Sequence, residues 1–395
     1  MAPAPTATVR PPGPVPARCR RRARAGLPGV LAGALVATLA ACSGPQEAAD
    51  AQDPTASAPA AGPAGPGDPA VEVPEVAPVE VATTDDVETS GDPLARWAAE
   101  TDAEPVTVVS SVDGVEQDML WQPPAEEGAP LLVAVHSWSS DWTQENGIPY
   151  ARWAQRAGWG FVHPDFRGVN ERPEATGSTL TTSDVVDAVD FAVAEGGVDP
   201  ERVYVVGFSG GGTTALLLAG RHPDRFAGAV SWVPINDLTR WYAYNRDERP
   251  EEDYADQIAA SCGGDPTAGG EAADSCAGRS PASVLGAARE AAVPVYLGVG
   301  IRDETVPPVE GLEAFDALAD EEDRVGAEAL AAAADGRLLP EVAGRDEADA
   351  RFGEGDPPVL ATLASAAATA VVFDGGHAMV YNPGLRWLLE LDAAR

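Results

Sequence analysis

Between a continuously apolar run, Val203–Val206, and a Gly- and Ala-rich segment stand five residues, Gly207-Phe208-Ser209-Gly210-Gly211. A strand that turns at once into a helix forces its corner residue into strained dihedrals, and only small neighbours let the two elements pass so closely. The pattern therefore predicts a buried strand ending at Phe208 and a helix starting after Ser209. It also places the Ser209 hydroxyl at the positive end of that helix, where developing negative charge is favoured. Serine in a Gly-rich turn is common by itself; the strand before it and the helix after it are what make this one informative.

The rest of the chain supplies a sheet for that corner. Val106–Val112 and Val115–Gln122 flank Asp113-Gly114, a two-residue hairpin signal. Six further β-rich runs follow: Leu131–His136, Gly160–Pro164, Val203–Phe208, Gly228–Val233, Val293–Val299 and Ala370–Phe373. Several are apolar throughout, as strands covered on both faces must be. Helical patterns fall between them at Tyr150–Ala157, Ser183–Ala194 (with Ser183 as N-cap), Gly211–Ala219, Ala282–Ala291 and Val309–Ala319. A hairpin followed by strand–helix alternation predicts an α/β fold with a mostly parallel eight-stranded sheet and helices on both faces. Two insertions interrupt it. Segment 236–279 carries Trp241, Tyr242, Tyr244, Tyr254 and two cysteines and reads as a lid; segment 320–358 is Ala- and acid-rich and partly helical.

A serine hydroxyl is a poor nucleophile without a base, and the base needs an orienting acid. The chain has four histidines. His377 follows the last strand in Asp374-Gly375-Gly376-His377 and is the expected base, while His136, His163 and His222 read as structural or lining residues. Asp303, after the seventh strand, is the expected acid, with Asp237 and Glu304 as rivals. Nucleophile, acid and base after strands five, seven and eight reproduce the Ser…Asp…His order of the α/β-hydrolase fold. The oxyanion donors would be the backbone N–H of Gly210 and, from the loop after the third strand, that of Trp138, with Ser137 as its rival. Trp142, Arg167 and Trp241 are candidates for substrate contact. An Arg at position 167 can hold a carboxylate bidentately, but an Arg after a strand also commonly ties loops together.

Four segments carry a resemblance: Val135-His136-Ser137-Trp138-Ser139-Ser140-Asp141, His163-Pro164-Asp165-Phe166-Arg167-Gly168, Gly207-Phe208-Ser209-Gly210-Gly211-Gly212 and Phe373-Asp374-Gly375-Gly376-His377. Together they resemble the catalytic domain of the prolyl oligopeptidase family of serine hydrolases over roughly residues 106–391. The resemblance implies the fold, a Ser209–Asp303–His377 triad and a two-step acyl-enzyme mechanism with no metal or organic cofactor. The chain departs from the family pattern in three places. A β-propeller finds no room ahead of Leu94, the usual His-Gly of the oxyanion loop is His136-Ser137, and the acid-rich insertion separates Asp303 from His377. These departures keep open a carboxylesterase acting on acylated carbohydrate or small esters beside a serine-type peptidase. An inactive surface-binding lipoprotein is the reading outside the enzyme class.

Composition sets the surroundings. With 62 acidic and 26 basic residues the formal charge is −36, which repels phosphate backbones and argues against nucleic-acid partners. Arg18, Arg20, Arg21, Arg22 and Arg24 precede an apolar run, Leu27–Ala40, of signal-peptide length, ending Leu39-Ala40-Ala41-Cys42. Residues 1–41 thus read as a lipoprotein signal peptide and Cys42 as the lipidated residue, anchoring the protein at the outer face of a bacterial cell membrane. Residues 42–93, rich in Pro, Ala and acid, read as a disordered spacer, and 94–395 as the catalytic domain. Outside the cytoplasm, Cys262 and Cys276 are expected to pair as a disulfide.

Overall fold

The strands among the described residues join in one nine-stranded sheet, in the order β1-β2-β4-β3-β5-β6-β7-β9-β8. Their ranges are β1 Glu104–Val109, β2 Glu116–Gln122, β3 Leu131–Val135, β4 Gly160–Pro164, β5 Val203–Phe208, β6 Gly228–Trp232, β7 Val295–Gly300, β8 Val359–Ala364 and β9 Ala368–Phe373. The structure is a computed structural model that describes residues 73–395 apart from 344, 346 and 347. The expected signal peptide, Cys42 and the first part of the spacer lie outside the described residues. Neighbours from β4 through β9 pair in parallel; β1, β2 and β8 add antiparallel pairings at the two edges.

Because strand side chains alternate between faces, each buried strand feeds two cores. Leu131, Val133, Val205 and Leu297 join one apolar layer with Val185, Leu216, Leu312 and Phe315 of the helices Thr179–Gly196, Gly210–Arg221 and Val309–Leu318. Leu132, Ala134, Tyr204, Val206 and Tyr296 face the other layer, with Trp97, Trp153, Leu385 and Leu388 of the helices Pro93–Glu100, Ile148–Ala157 and Tyr381–Ala393. The sheet is therefore covered on both faces, as its apolar runs require.

Four expectations are corrected. The sheet has nine strands: β8 is an antiparallel edge strand joined to β9 by a short turn in which Ser365 N–H donates to Ala368 O (2.8 Å). Its Val-Leu-Ala-Thr-Leu-Ala sequence follows an Ala-rich segment and lacks the aromatic and β-branched density that marks the central strands. The hairpin before β2 is also wider than two residues, because its strands stop at Val109 and Glu116. The intervening loop is drawn out by Arg167, which takes Asp113 and Ser110. The third correction concerns the helix expected from Ser183. It begins at Thr179, and Ser178 is the cap that accepts from Thr181 N–H (3.2 Å). Fourth, the spacer ends before Pro93. Val79 is buried, its N–H donates to Asn382 Oδ1 (2.9 Å), Thr83 bridges Val380, and Ser90 N–H donates to Glu145 Oε2 (2.7 Å). The valines at 76, 79, 81 and 87 pack on the second layer, so the acids between them do not keep this stretch free. The segment read as a lid, 236–279, forms three α-helices, Leu238–Glu248, Tyr254–Cys262 and Glu271–Arg279, around a small core of its own. That core includes Trp138 and Val306 from the main body, so the insertion is packed onto the domain at these residues.

Candidate active site

Ser209 sits where the sequence places it, at the corner between β5 and the helix Gly210–Arg221. Its backbone has φ 57° and ψ −121°, outside the regions a non-glycine residue normally occupies. Such a conformation costs about 1–3 kcal/mol and persists only where the surroundings enforce it. Here the strand and helix enforce it: a Cβ on Gly207 would lie 2.2 Å from Gly211 O, and Ser209 N–H donates to Trp232 O (2.9 Å).

The structure brings Ser209, His377 and Asp303 into one hydrogen-bonded chain. His377 Nε2 lies 2.9 Å from Ser209 Oγ, and His377 Nδ1 lies 2.7 Å from Asp303 Oδ2. The other carboxylate oxygen, Asp303 Oδ1, accepts from Thr305 N–H and Val306 N–H, both at 2.8 Å. Asp303 is thus an acceptor on both oxygens, which fixes the tautomer: Nδ1–H donates to it, and Nε2 is free to accept from the Ser209 hydroxyl. The Asp303 side chain is fully buried and that of His377 is 21% exposed, so the imidazole stands at the boundary between the protein interior and solvent. The Phe208 ring packs against it, 4.9 Å between centroids. His377 follows the ninth strand rather than an eighth, and the chain order Ser…Asp…His is kept.

The rivals are occupied elsewhere. Asp237 caps the helix Leu238–Glu248, its Oδ1 accepting from Thr239 N–H (2.8 Å) and Arg240 N–H (3.2 Å). Glu304 has an exposed side chain, and its carbonyl accepts from Tyr244 Oη (2.7 Å). His136 is fully buried, stacked on Phe166 at 3.9 Å, with Nε2 2.6 Å from Asp165 O; burial pushes its pKa below the ordinary value. His163 lies against Ala134 O (2.6 Å), and burial holds its pKa down at about 4. His222, at the C-cap of the helix Gly210–Arg221, is also lowered by burial.

The helix start that follows Ser209 and the loop after β3, which carry the two expected oxyanion donors, come close together. A Cβ on Gly210 would lie only 2.6 Å from Trp138 N, which measures how closely the helix start and the loop after β3 approach. Of the two residues expected in that loop, Ser137 N–H is already committed to Gln144 Oε1 (2.8 Å). Trp138 N–H donates to no group among the described residues. The loop is held from behind, since Trp138 O accepts from Asn170 N–H (2.9 Å) and from its carboxamide (3.2 Å).

Two of the three substrate-contact candidates are corrected. Arg167 is 5% exposed and its guanidinium is engaged by Asp184, Asp113 and Ser110, with both carboxylates raising its pKa. It is a tie between the β1–β2 loop and the helix Thr179–Gly196. Trp241 is 1% exposed; its indole N–H donates to Thr305 O (2.9 Å) and its ring packs on Trp138 (4.8 Å). Trp142 is half-buried against the second apolar layer. Cys262 and Cys276 form the expected disulfide. Sequence reasoning missed Gln144, Asn170 and Gln257, whose side chains hold the loop after β3. They are remote in sequence from the residues they position or sit in unpatterned loops, so no local signal marks them.

Fold and site together define an α/β-hydrolase domain with its serine on a strand-to-helix corner. Residues 150–334 match the profile of the prolyl oligopeptidase family. The matched stretch takes in Ser209 and Asp303 and ends before His377. NocK of Nocardia uniformis subsp. tsuyamanensis, named as an esterase, is 33% identical over 116 residues, 28% of this chain and 34% of NocK. Feruloyl esterase B of Talaromyces stipitatus is 29% identical over 119 residues, 28% of this chain and 33% of that enzyme. The chain spans about a third of the length of these curated relatives. A solved structure of a mutant puromycin hydrolase complexed with PGG superposes with a TM-score of 0.50 over 78% of this chain and 41% of that chain, at 19% identity. That likeness is one of fold.

Proposed function

We propose that the protein is a serine hydrolase that cleaves a peptide or carboxylic ester bond through an acyl-enzyme. The observation that carries this reading is the unbroken chain from Ser209 Oγ through His377 to Asp303, at 2.9 and 2.7 Å. Ser209 Oγ attacks the substrate carbonyl carbon while its proton passes to His377 Nε2. The carbonyl π pair moves onto oxygen, where Gly210 N–H and Trp138 N–H receive the charge. Asp303 holds the resulting imidazolium in place. The tetrahedral centre collapses, the bond to the leaving amine or alkoxide breaks, and His377 returns the proton to it. Water, deprotonated by His377, then attacks the acyl carbon; collapse releases the acid and restores Ser209 Oγ–H.

The match to the prolyl oligopeptidase family profile supports peptides as substrates. A second reading, esters of small molecules or acylated carbohydrate, is supported by the esterase names of NocK and feruloyl esterase B. The protein is further proposed to act outside the cytoplasm, tethered through a lipid on Cys42. The Arg-rich and apolar stretch before Cys42 and the Cys262–Cys276 disulfide support that placement.

Covalent labelling tests the proposal. A fluorophosphonate incubated with the purified chain is expected to modify Ser209, identified by peptide mass mapping, and to leave the Ser209→Ala variant unmodified. Wild-type protein that stays unlabelled, as an inactive surface-binding protein would, or that carries the label on another residue, contradicts it.

A further inference from the structure

The insertion 236–279 grips both sides of the site, and we infer that it is a clamp that sets the position of the Trp138 N–H, with Gln257 as its positioning residue. The inference rests on the proposed oxyanion role of that N–H. Trp138 stands in a loop beyond the end of β3, where no strand ladder fixes its peptide plane. Its carbonyl side is pinned by Asn170. Its side chain is held by the insertion: the indole Nε1–H donates to Gln257 Oε1 (2.7 Å), and the ring meets Trp241 edge-on at 4.8 Å and Tyr254 at 6.5 Å.

The same insertion reaches the acid. Trp241 Nε1–H donates to Thr305 O (2.9 Å) and Tyr244 Oη–H donates to Glu304 O (2.7 Å), in the turn whose N–H groups hold Asp303. One rigid unit thus spans the oxyanion loop and the acid turn. Its rigidity has a covalent source. Gln257 lies on the helix Tyr254–Cys262, whose last residue is tied to Cys276 on the helix Glu271–Arg279. Without the Gln257 acceptor the Trp138 indole N–H is left unpaired in a buried place, and any small shift of the ring that relieves this is passed to its backbone. A displacement of a fraction of an ångström in a preorganised donor is felt in the transition state far more than in substrate binding.

The test is steady-state hydrolysis of p-nitrophenyl butyrate by the full chain carrying Gln257→Leu or Gln257→Glu, the latter keeping an acceptor oxygen. The clamp predicts that Gln257→Leu lowers kcat about 10-fold with KM within 2-fold, and that Gln257→Glu restores kcat to within 3-fold of wild type. Affinity for a trifluoromethyl ketone, whose hydrate-like adduct on Ser209 carries the oxyanion, is expected to fall by the same factor as kcat/KM. Should Gln257→Leu fail to fold, the Cys262→Ala/Cys276→Ala pair tests the same unit and is expected to lower kcat with KM held. Unchanged kcat in whichever of these folds, or a loss confined to KM, overturns the clamp. A wild-type chain that turns over no ester and no peptide instead overturns the hydrolase reading beneath it, so the two failures are distinct.

Discussion

Replacing Gly210 with alanine puts one methyl group between the helix start and Trp138, the two proposed oxyanion donors. The added Cβ would sit 2.6 Å from Trp138 N, 2.7 Å from its Cα and 3.0 Å from its Cβ. Real carbon–nitrogen contacts are not that short, so either the helix start or the loop must move. The loop has little freedom: Trp138 is 4% exposed, its carbonyl is held by Asn170 and its indole by Gln257. Moving one donor out of line approaches the loss of an oxyanion hydrogen bond, about 2.7–4 kcal/mol or roughly 10²–10³ in kcat. Stability should change much less. Alanine gains up to ~1 kcal/mol over glycine in a helix, against an overpacking cost of about 1–3 kcal/mol. The assay is kcat and KM for p-nitrophenyl butyrate beside a urea unfolding curve. A Gly210→Ala variant with kcat within 3-fold of wild type would refute the placement of the oxyanion hole between Gly210 and Trp138.

Two further outcomes follow from the same geometry. Arg167→Met leaves the fully buried Asp184 carboxylate without its cation, so it should destabilise the fold by about 3–5 kcal/mol in urea while KM stays within 2-fold; unchanged stability with a raised KM would return Arg167 to the substrate. Burial holds His163 at about 4 in the folded protein against about 6.5 in the unfolded chain. The unfolded chain therefore binds more protons between these values, and stability present above pH 6.5 is lost as the pH falls toward 4, by about 3 kcal/mol for this group. His163→Gln should flatten that part of the unfolding free energy, and a slope unchanged by the substitution would contradict it.

The parts of the molecule that sequence reveals are those that local physics settles. Ser209 is legible because a strand-to-helix corner needs glycines on both sides, and His377 and Asp303 because each follows an apolar strand at the sheet's carboxyl edge. What escaped depends on partners far along the chain. The β1–β2 turn opens because Arg167, on a different loop, takes Asp113. Residues 73–93 read as spacer by composition, yet their scattered valines find the second apolar layer. Strand β8 is Ala-rich and gains its identity from pairing with β9. Trp241 carries the aromatic character of a binding residue, but its hydrogen bond to Thr305 and its contact with Trp138 bury it. Gln257 is legible only in three dimensions, being remote in sequence from the tryptophan it holds.

The central claim, that Ser209 is the nucleophile of a hydrolase, is met most directly by turnover of the full chain and its Ser209→Ala variant on two substrates, p-nitrophenyl butyrate and a prolyl-containing peptide anilide. The account predicts hydrolysis of at least one by the wild type and a loss of about 10³-fold or more in the variant. Cleavage of the anilide places peptides first, and cleavage of the ester alone places esters first. Turnover that survives Ser209→Ala undiminished would contradict the account.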